Sequence, residues 1–391
     1  MTRLLLRPGH DRRLRNGHPW IFSNEIKSIE GVPQPGDALA VHAASGEFLG
    51  TAYYNPTSLI AARLLSRNIE DIDSVDFFRG RIAEAVAYRQ RFYGELDAVR
   101  LVHGEGDGLP GLVVDRYGPV LSIQLLTLGM DRRRQLILEA LCDLFHPQAV
   151  VARNDVAFRE LEGLPQKVEV LYGDVPESLI ITENGLRFRV DVCGGQKTGH
   201  FLDQKENHRS LQGRVSGGRV LDLFCYSGSW SIHAAHYGAS SVTGVDISRN
   251  ALELAKENAV LNDLTQQCSF IQADIFDWLQ AEHRSGRQYD TVVLDPPAFV
   301  KSKKKLHEAI RGYLTINRRA LNLVAPGGFL YTCSCSHHMD RELFLDTIHT
   351  AGLKARRSLR LLELRSQAYD HPVLLSCPET EYLKCAVLQV Q

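Results

Sequence analysis

Residues 218–246, GRVLDLFCYSGSWSIHAAHYGASSVTGVD, decide the fold. Val220, Leu221 and Leu223 form a short buried run, a helix with the small residues Ala234 and Ala235 follows, and SSVTGVD is rich in β-branched residues and ends on Asp246. The stretch predicts strand, tight loop, helix, strand, with a carboxylate at each strand end. Asp246 follows Asp222 by 24 positions, which puts it near the tip of a second parallel strand, where a carboxylate can accept both hydroxyls of a ribose. An ordinary βαβ scaffold with two surface aspartates would read the same way, so the flanking sequence has to discriminate.

Downstream the alternation is regular. A helix over 251–261 leads to a strand over 269–273 that ends on Asp274, a strand over 291–294 ends on Asp295, and a strand over 329–333 ends near Ser334. Upstream, a strand over 186–192 runs into GGQKTGHFLDQ, which ends on Gln204. Ligands of open parallel sheets bind at the carboxyl strand ends, where these loops emerge. Asp222, Asp246, Asp274 and Asp295 there match, in order, an ammonium with nearby backbone, a ribose diol, an adenine amino group and a reacting base. The first loop carries Phe224 and Tyr226 where a phosphate-cradling loop has glycines, and keeps only Gly228. A dinucleotide pyrophosphate fits such a loop poorly. S-adenosylmethionine, adenosine with a cationic tail and no phosphate, fits better.

Asp295-Pro296-Pro297-Ala298-Phe299 leaves its strand as a stiff loop, because two prolines fix φ and remove N–H donors, and Phe299 follows within stacking reach of a planar substrate. Over 297–319 come Lys301, Lys303, Lys304, Lys305, Arg311, Arg318 and Arg319 against the single acid Glu308, a patch that could grip a polyanion. Tyr331-Thr332-Cys333-Ser334-Cys335-Ser336 follows at the end of the next strand. Carbon-5 of a pyrimidine is a weak nucleophile until a thiolate adds to carbon-6, and a cysteine beside DPPxF supplies that reagent. Alternation in an extended segment gives Cys333 and Cys335 the same face, but Cys335 lies further beyond the strand. His337 and His338 stand next to it, and the general base is left unassigned.

The 391 residues, 44% of them hydrophobic, suggest two or three domains. Eight cysteines without a CxxC pair indicate neither a zinc site nor a disulfide framework, and no apolar run approaches the roughly 18 residues that span a bilayer. A cytoplasmic protein without a membrane segment is expected. A net charge of −1 excludes a uniformly basic nucleic-acid binder, so RNA contact must come from local patches. One is the amino-terminal Arg3, Arg7, Arg12, Arg13 and Arg15 beside Gly17-His18-Pro19-Trp20. Short strands over 38–42, 48–54 and 59–65 follow. A helix over 73–93, a glycine-rich loop at 104–111, a hairpin over 112–114 and 120–126, a helix over 132–145 and a strand pair from 149 then make a strand-strand-helix-strand-strand unit. The glycine loop lacks a GK[ST] ending and precedes a hairpin, so it reads as structural.

Taken together, HPWIFSNEI, GEGDGLPGLVVDRYG, KTGHFLDQ, DLFCYSGSWS, DPPAFVKSKK and TCSCS resemble the bacterial 23S rRNA cytosine-C5 methyltransferases that carry an N-terminal PUA domain. The likeness spans nearly the whole chain. It implies a multi-domain α/β protein: a β-rich PUA module over 1–72, an α+β middle domain over 73–184 and a Rossmann-like S-adenosylmethionine methyltransferase domain over 185–391. It also implies cofactor contacts from Gln204, Asp222, Phe224, Tyr226, Gly228, Asp246, Asp274, Asp295 and Pro296. RNA contacts are expected from Arg12, Arg13, Phe299, Lys301, Lys303 and Lys304, with Cys335 and Asp295 catalytic and no metal. The family's SCS cysteine falls on Cys335, while the TCS triplet of other RNA cytosine methyltransferases falls on Cys333. A related DPPxF group methylates guanine in rRNA without a thiol, and an inactive RNA-binding factor is a further alternative. A homodimer is compatible with the β-rich first module.

Overall fold

The computed structural model describes residues 2–94, 96–299, 306–336 and 338–391. The chain forms two compact units: Met1–Ile181 with Val190–Leu202 and Tyr369–Thr380, and Thr182–Arg189 with Asp203–Ala368 and Glu381–Gln391.

In the first unit a six-stranded sheet spans Thr2–Leu6 to Ala62–Ser66. Its last strand begins at Ala62, later than the apolar pattern over 59–65 predicts, and Leu59 is exposed. The reason is a turn: Asn55 N–H donates to the Ala61 carbonyl at 2.8 Å, and the Asn55 side chain is tied to Glu162. Glu162 also accepts from Ser58 Oγ at 2.7 Å and pairs with the buried Arg63 at 2.9 Å.

A five-stranded sheet follows, with helices Val75–Gln90 and Arg134–Phe145 packed over a core of Ile82, Leu101, Val114, Ile123 and Ile137. Its edge strand Ala98–His103 does not stand out in the sequence, because Arg100 breaks the apolar run. In the ladder Arg100 faces Asp115 and donates to both its oxygens at 2.7 Å. That pairing also carries the strand Leu112–Tyr117 past the hairpin limit that the sequence predicts, leaving Gly118 and Pro119 as the turn. The helix expected over 132–145 is two helices, Leu128–Arg132 and Arg134–Phe145, broken at Arg133. The glycine-rich loop closes as a helical turn in which Glu105 accepts from Trp20 Nε1 and Asp107 takes both terminal nitrogens of Arg89.

The second unit holds the predicted parallel sheet. Its strands are β1 (Arg219–Leu223), β2 (Ser241–Asp246), β3 (Cys268–Gln272), β4 (Tyr289–Leu294), β5 (Val324–Ser334), β6 (Leu359–Arg365) and β7 (Lys384–Val390), in the order β3-β2-β1-β4-β5-β7-β6. β3 to β5 are joined in parallel, and β7 enters antiparallel between β5 and β6. The longer helices are α1 (Ser229–His236), α2 (Arg249–Leu261), α3 (Ile275–Arg284), α4 (Leu306–Leu321) and α5 (Arg341–Ala355), with a short helix at Lys205–Arg209 ahead of β1. Central strands are covered on both faces, so they read as continuous apolar runs. Leu221, Leu223, Val292, Leu294 and Leu330 pack towards one core, and Val220, Val242, Val293, Tyr331 and Cys333 towards another that includes Trp230 of α1. Asp222 is the exception, a carboxylate fully buried in β1.

Candidate active site

The strand order reverses at β1, and the carboxyl ends of β1, β2, β4 and β5 bring the predicted loops to one edge. Phe224, Tyr226 and Gly228 take left-handed backbone conformations at alternate positions, with φ of 63°, 46° and 78°. Such geometry costs a non-glycine residue of the order of 1–3 kcal/mol and persists where neighbours hold it. Here Phe224 N–H and Cys225 N–H both donate to the Val245 carbonyl, at 2.9 and 3.2 Å, and Tyr226 N–H donates to Asp246 Oδ2 at 3.0 Å. The other Asp246 oxygen accepts from Ser248 N–H at 2.8 Å. A fixed carboxylate thus stands at the tip of β2. Gly228 caps α1, and a Cβ there would meet the Ala255 Cβ at 3.0 Å and Phe270 at 3.3 Å.

Asp222 Oδ2 accepts from Ser231 Oγ at 2.6 Å, while Oδ1 is buried with no hydrogen-bond partner among the described residues. Burial, with the charge of Asp295 as a lesser cause, pushes its carboxyl up to about 7, and Ser231 and His208 oppose the rise. A buried carboxylate with one unmatched oxygen calls for a cation. Together with the ribose-ready Asp246, it fits a ligand that joins an ammonium to a nucleoside, as S-adenosylmethionine does. Asp274 is exposed and spends one oxygen on capping α3, accepting from Asp277 N–H at 3.1 Å.

Asp295 is anchored from below. Its Oδ2 accepts from Gln204 Nε2 at 2.8 Å and from Trp230 Nε1 at 3.1 Å, and Gln204 is itself held by Asn207 Nδ2 at 2.6 Å. Pro296 is buried. The Phe299 ring, expected to offer a stacking face, packs edge-on against Tyr313 at 4.8 Å and near Phe276 at 6.4 Å. Lys301, Lys303, Lys304 and His337 lie outside the described residues. At the end of β5 the two cysteines part company. Cys333 is fully buried opposite Cys385 of β7, and burial, reinforced by Cys385, pushes its thiol well up. Cys335 lies past the strand end and is half-buried.

The amino-terminal arginines are less uniform than their spacing suggests. Arg15 is tied to Asp11 and Glu47, and Arg13 lies over the Phe22 ring at 4.6 Å, whereas Arg12 is exposed. Several residues of this sheet edge were not legible as such in the sequence: Trp230 and Asn207, which steady Asp295 and Gln204, and Lys384, the first residue of β7. For Lys384 there was one signal, a lysine heading the buried strand KCAVLQV.

Comparison with known proteins agrees with this geometry. Residues 100–371 match the family described as S-adenosylmethionine-dependent methyltransferase, and residues 4–67 match the PUA-like domain. The chain belongs to the S-adenosylmethionine-dependent methyltransferase family. Among its curated relatives, the ribosomal RNA large subunit methyltransferase I of Shewanella frigidimarina is 41% identical over 99% of each chain. The proteins of the same name from Aeromonas hydrophila and Vibrio cholerae are 40% and 41% identical, with at least 97% of each chain covered. A solved structure of a candidate SAM-dependent methyltransferase from Streptococcus mutans shares the fold over all of both chains, with a TM-score of 0.85 at 24% identity. Another, a candidate methyltransferase complexed with SAH, gives 0.86 at 23%. The methyltransferase therefore uses S-adenosylmethionine and joins a PUA-like amino-terminal domain to the Rossmann-like sheet. Among the described residues no helix is long and apolar enough to cross a membrane.

Proposed function

We propose that this methyltransferase modifies large-subunit ribosomal RNA, placing a methyl group on carbon-5 of a cytosine by covalent catalysis through Cys335. The observation that carries the reading is the half-buried Cys335 at the carboxyl end of β5, on the same sheet edge as Asp295, Asp222 and Asp246. The names of the relatives and the PUA-like domain support an RNA substrate, and the exposed Arg12 offers it a phosphate contact.

Asp222 and Asp246 would hold the cofactor's ammonium and ribose, with Phe224, Tyr226 and Gly228 shaping the loop over it. Bound S-adenosylmethionine supplies an electrophilic methyl group. The chain's own residues prepare the base. The Cys335 thiolate forms a bond to carbon-6, and the electrons of the 5,6 double bond make carbon-5 nucleophilic. After methylation, loss of the carbon-5 proton restores the double bond and expels the thiolate. Asp295, fixed by Gln204 and Trp230, would bind the polar edge of the cytosine. Cys333, buried with its thiol pushed well up, is unsuited to the attack.

The test is methyl transfer to ribosomal RNA by Cys335→Ala and Cys333→Ala, with adduct formation on RNA carrying 5-fluorocytosine, whose carbon-5 fluorine stands in place of the proton and cannot be abstracted, so the thiolate is not expelled. Cys335→Ala should lose transfer and adduct, and Cys333→Ala should keep both. Full activity in Cys335→Ala would overturn the covalent reading.

A further inference from the structure

Lys384 is 3% exposed, yet among the described residues it has no carboxylate within ion-pair distance. Its ammonium donates to two backbone carbonyls, Ser336 O at 2.7 Å and Tyr382 O at 3.0 Å. The first of these belongs to the residue after Cys335, and in the sheet Lys384 pairs with Ser334, the residue before it. The ammonium is thus built into the same corner as the thiol. An ammonium buried without an anion is costly, and such a group ordinarily gives up its proton. Burial does pull Lys384 down, to about 8, and the strongest opposing influence is the charge of Cys335, ahead of Glu381 and Asp340. Both acids are engaged elsewhere: Glu381 pairs with Arg341, whose own charge opposes Lys384, and Asp340 caps α5 by accepting from Leu343 N–H at 2.8 Å. From α4 the Tyr313 hydroxyl lies beside Ser334, Ser336 and Cys335, and burial raises it to about 12, so it stays neutral and adds no competing charge. A cation walled in by carbonyls, with its acidic neighbours already satisfied, leaves room for one anion, the thiolate.

We propose that Lys384 is a positioning residue that fixes the Cys335–Ser336 turn and supplies the positive charge that holds Cys335 as a thiolate. This rests on the reading of Cys335 as the nucleophile. The thiol proton leaves to solvent, Lys384 keeps its own proton, and the pair is neutral overall. The arrangement makes the thiolate available before RNA arrives and lets it depart again as a stabilised leaving group.

The experiment is the pH profile of Cys335 alkylation by iodoacetamide in the full-length protein without RNA or cofactor, with fragment mass spectrometry separating Cys335 from Cys333. Lys384→Gln keeps a donor for the carbonyls but removes the charge, and Lys384→Arg keeps the charge. Lys384→Gln should move the midpoint up by about one pH unit, a roughly tenfold slower reaction at pH values well below both midpoints, and Lys384→Arg should move it far less. A change in the high-pH plateau with the midpoint in place would mean a purely structural role and would overturn the proposal. So would equal midpoints in Lys384→Gln and the parent, or equal shifts in both variants. Because alkylation needs no RNA, this outcome is separate from methylation by Cys335→Ala, which alone tests the choice of nucleophile.

Discussion

If the buried Asp222 is the partner of the cofactor's ammonium, cofactor binding must follow its ionisation. The carboxyl titrates at about 7 in the free protein because burial penalises its charge. The binding-competent carboxylate is then about one-eleventh of the population at pH 6 and about ten-elevenths at pH 8, so the apparent Kd should be about tenfold weaker at pH 6. Binding should release about 0.9 proton at pH 6 and about 0.1 at pH 8, since the cation draws the carboxylate into its charged form. Calorimetric titration with S-adenosylhomocysteine in buffers of different ionisation enthalpy measures both quantities. This ligand keeps the ammonium and lacks the sulfonium, so the response isolates Asp222. Asp222→Asn should bind weakly at both pH values and release no proton from this site. The sign for stability is the reverse. A carboxyl raised above its unfolded value stabilises the fold fully below about 4, and that contribution is lost as pH rises through about 7. Without ligand the protein should therefore be less stable at pH 8 than at pH 6, and Asp222→Asn should flatten the difference. A pH-independent Kd in the parent, or the same pH dependence in Asp222→Asn, would refute the assignment.

Two further predictions concern the frame of the protein. Gly228→Ala combines a left-handed φ with a Cβ at 3.0 Å from Ala255 and should cost about 2 kcal/mol in denaturant unfolding. Gly213→Ala, with a similar φ of 77° and open space around it, should cost about 1 kcal/mol, and equal losses would show that crowding at Gly228 is unimportant. Arg63→Ala strands the buried Glu162, which then keeps the neutral donors of Ser58, Asn55 and the Leu128 N–H, and should destabilise by about 3–5 kcal/mol. A loss below about 1 kcal/mol in guanidinium unfolding would count against an uncompensated buried charge.

The parallel sheet, the four strand-end aspartates, the DPPxF loop and the paired cysteines were legible because each rests on local pattern. Apolar runs of strand length mark buried strands, prolines and glycines mark corners, and carboxylates at those corners mark a ligand edge. Where one residue needed a distant partner, the pattern failed. Arg100 hid a strand until Asp115 was seen across the ladder, and the run from Leu59 gave way to a turn closed by Asn55 and Glu162. The same division runs through the candidate site. Local sequence named Asp222, Asp295, Cys333 and Cys335, but could not say that Asp222 is buried with an unmatched oxygen or that Phe299 turns towards Tyr313. Nor could it bring Lys384, some 50 residues along the chain, to the corner of Cys335. Which groups are charged depends on burial and on neighbours from other strands, and tertiary structure alone decides those.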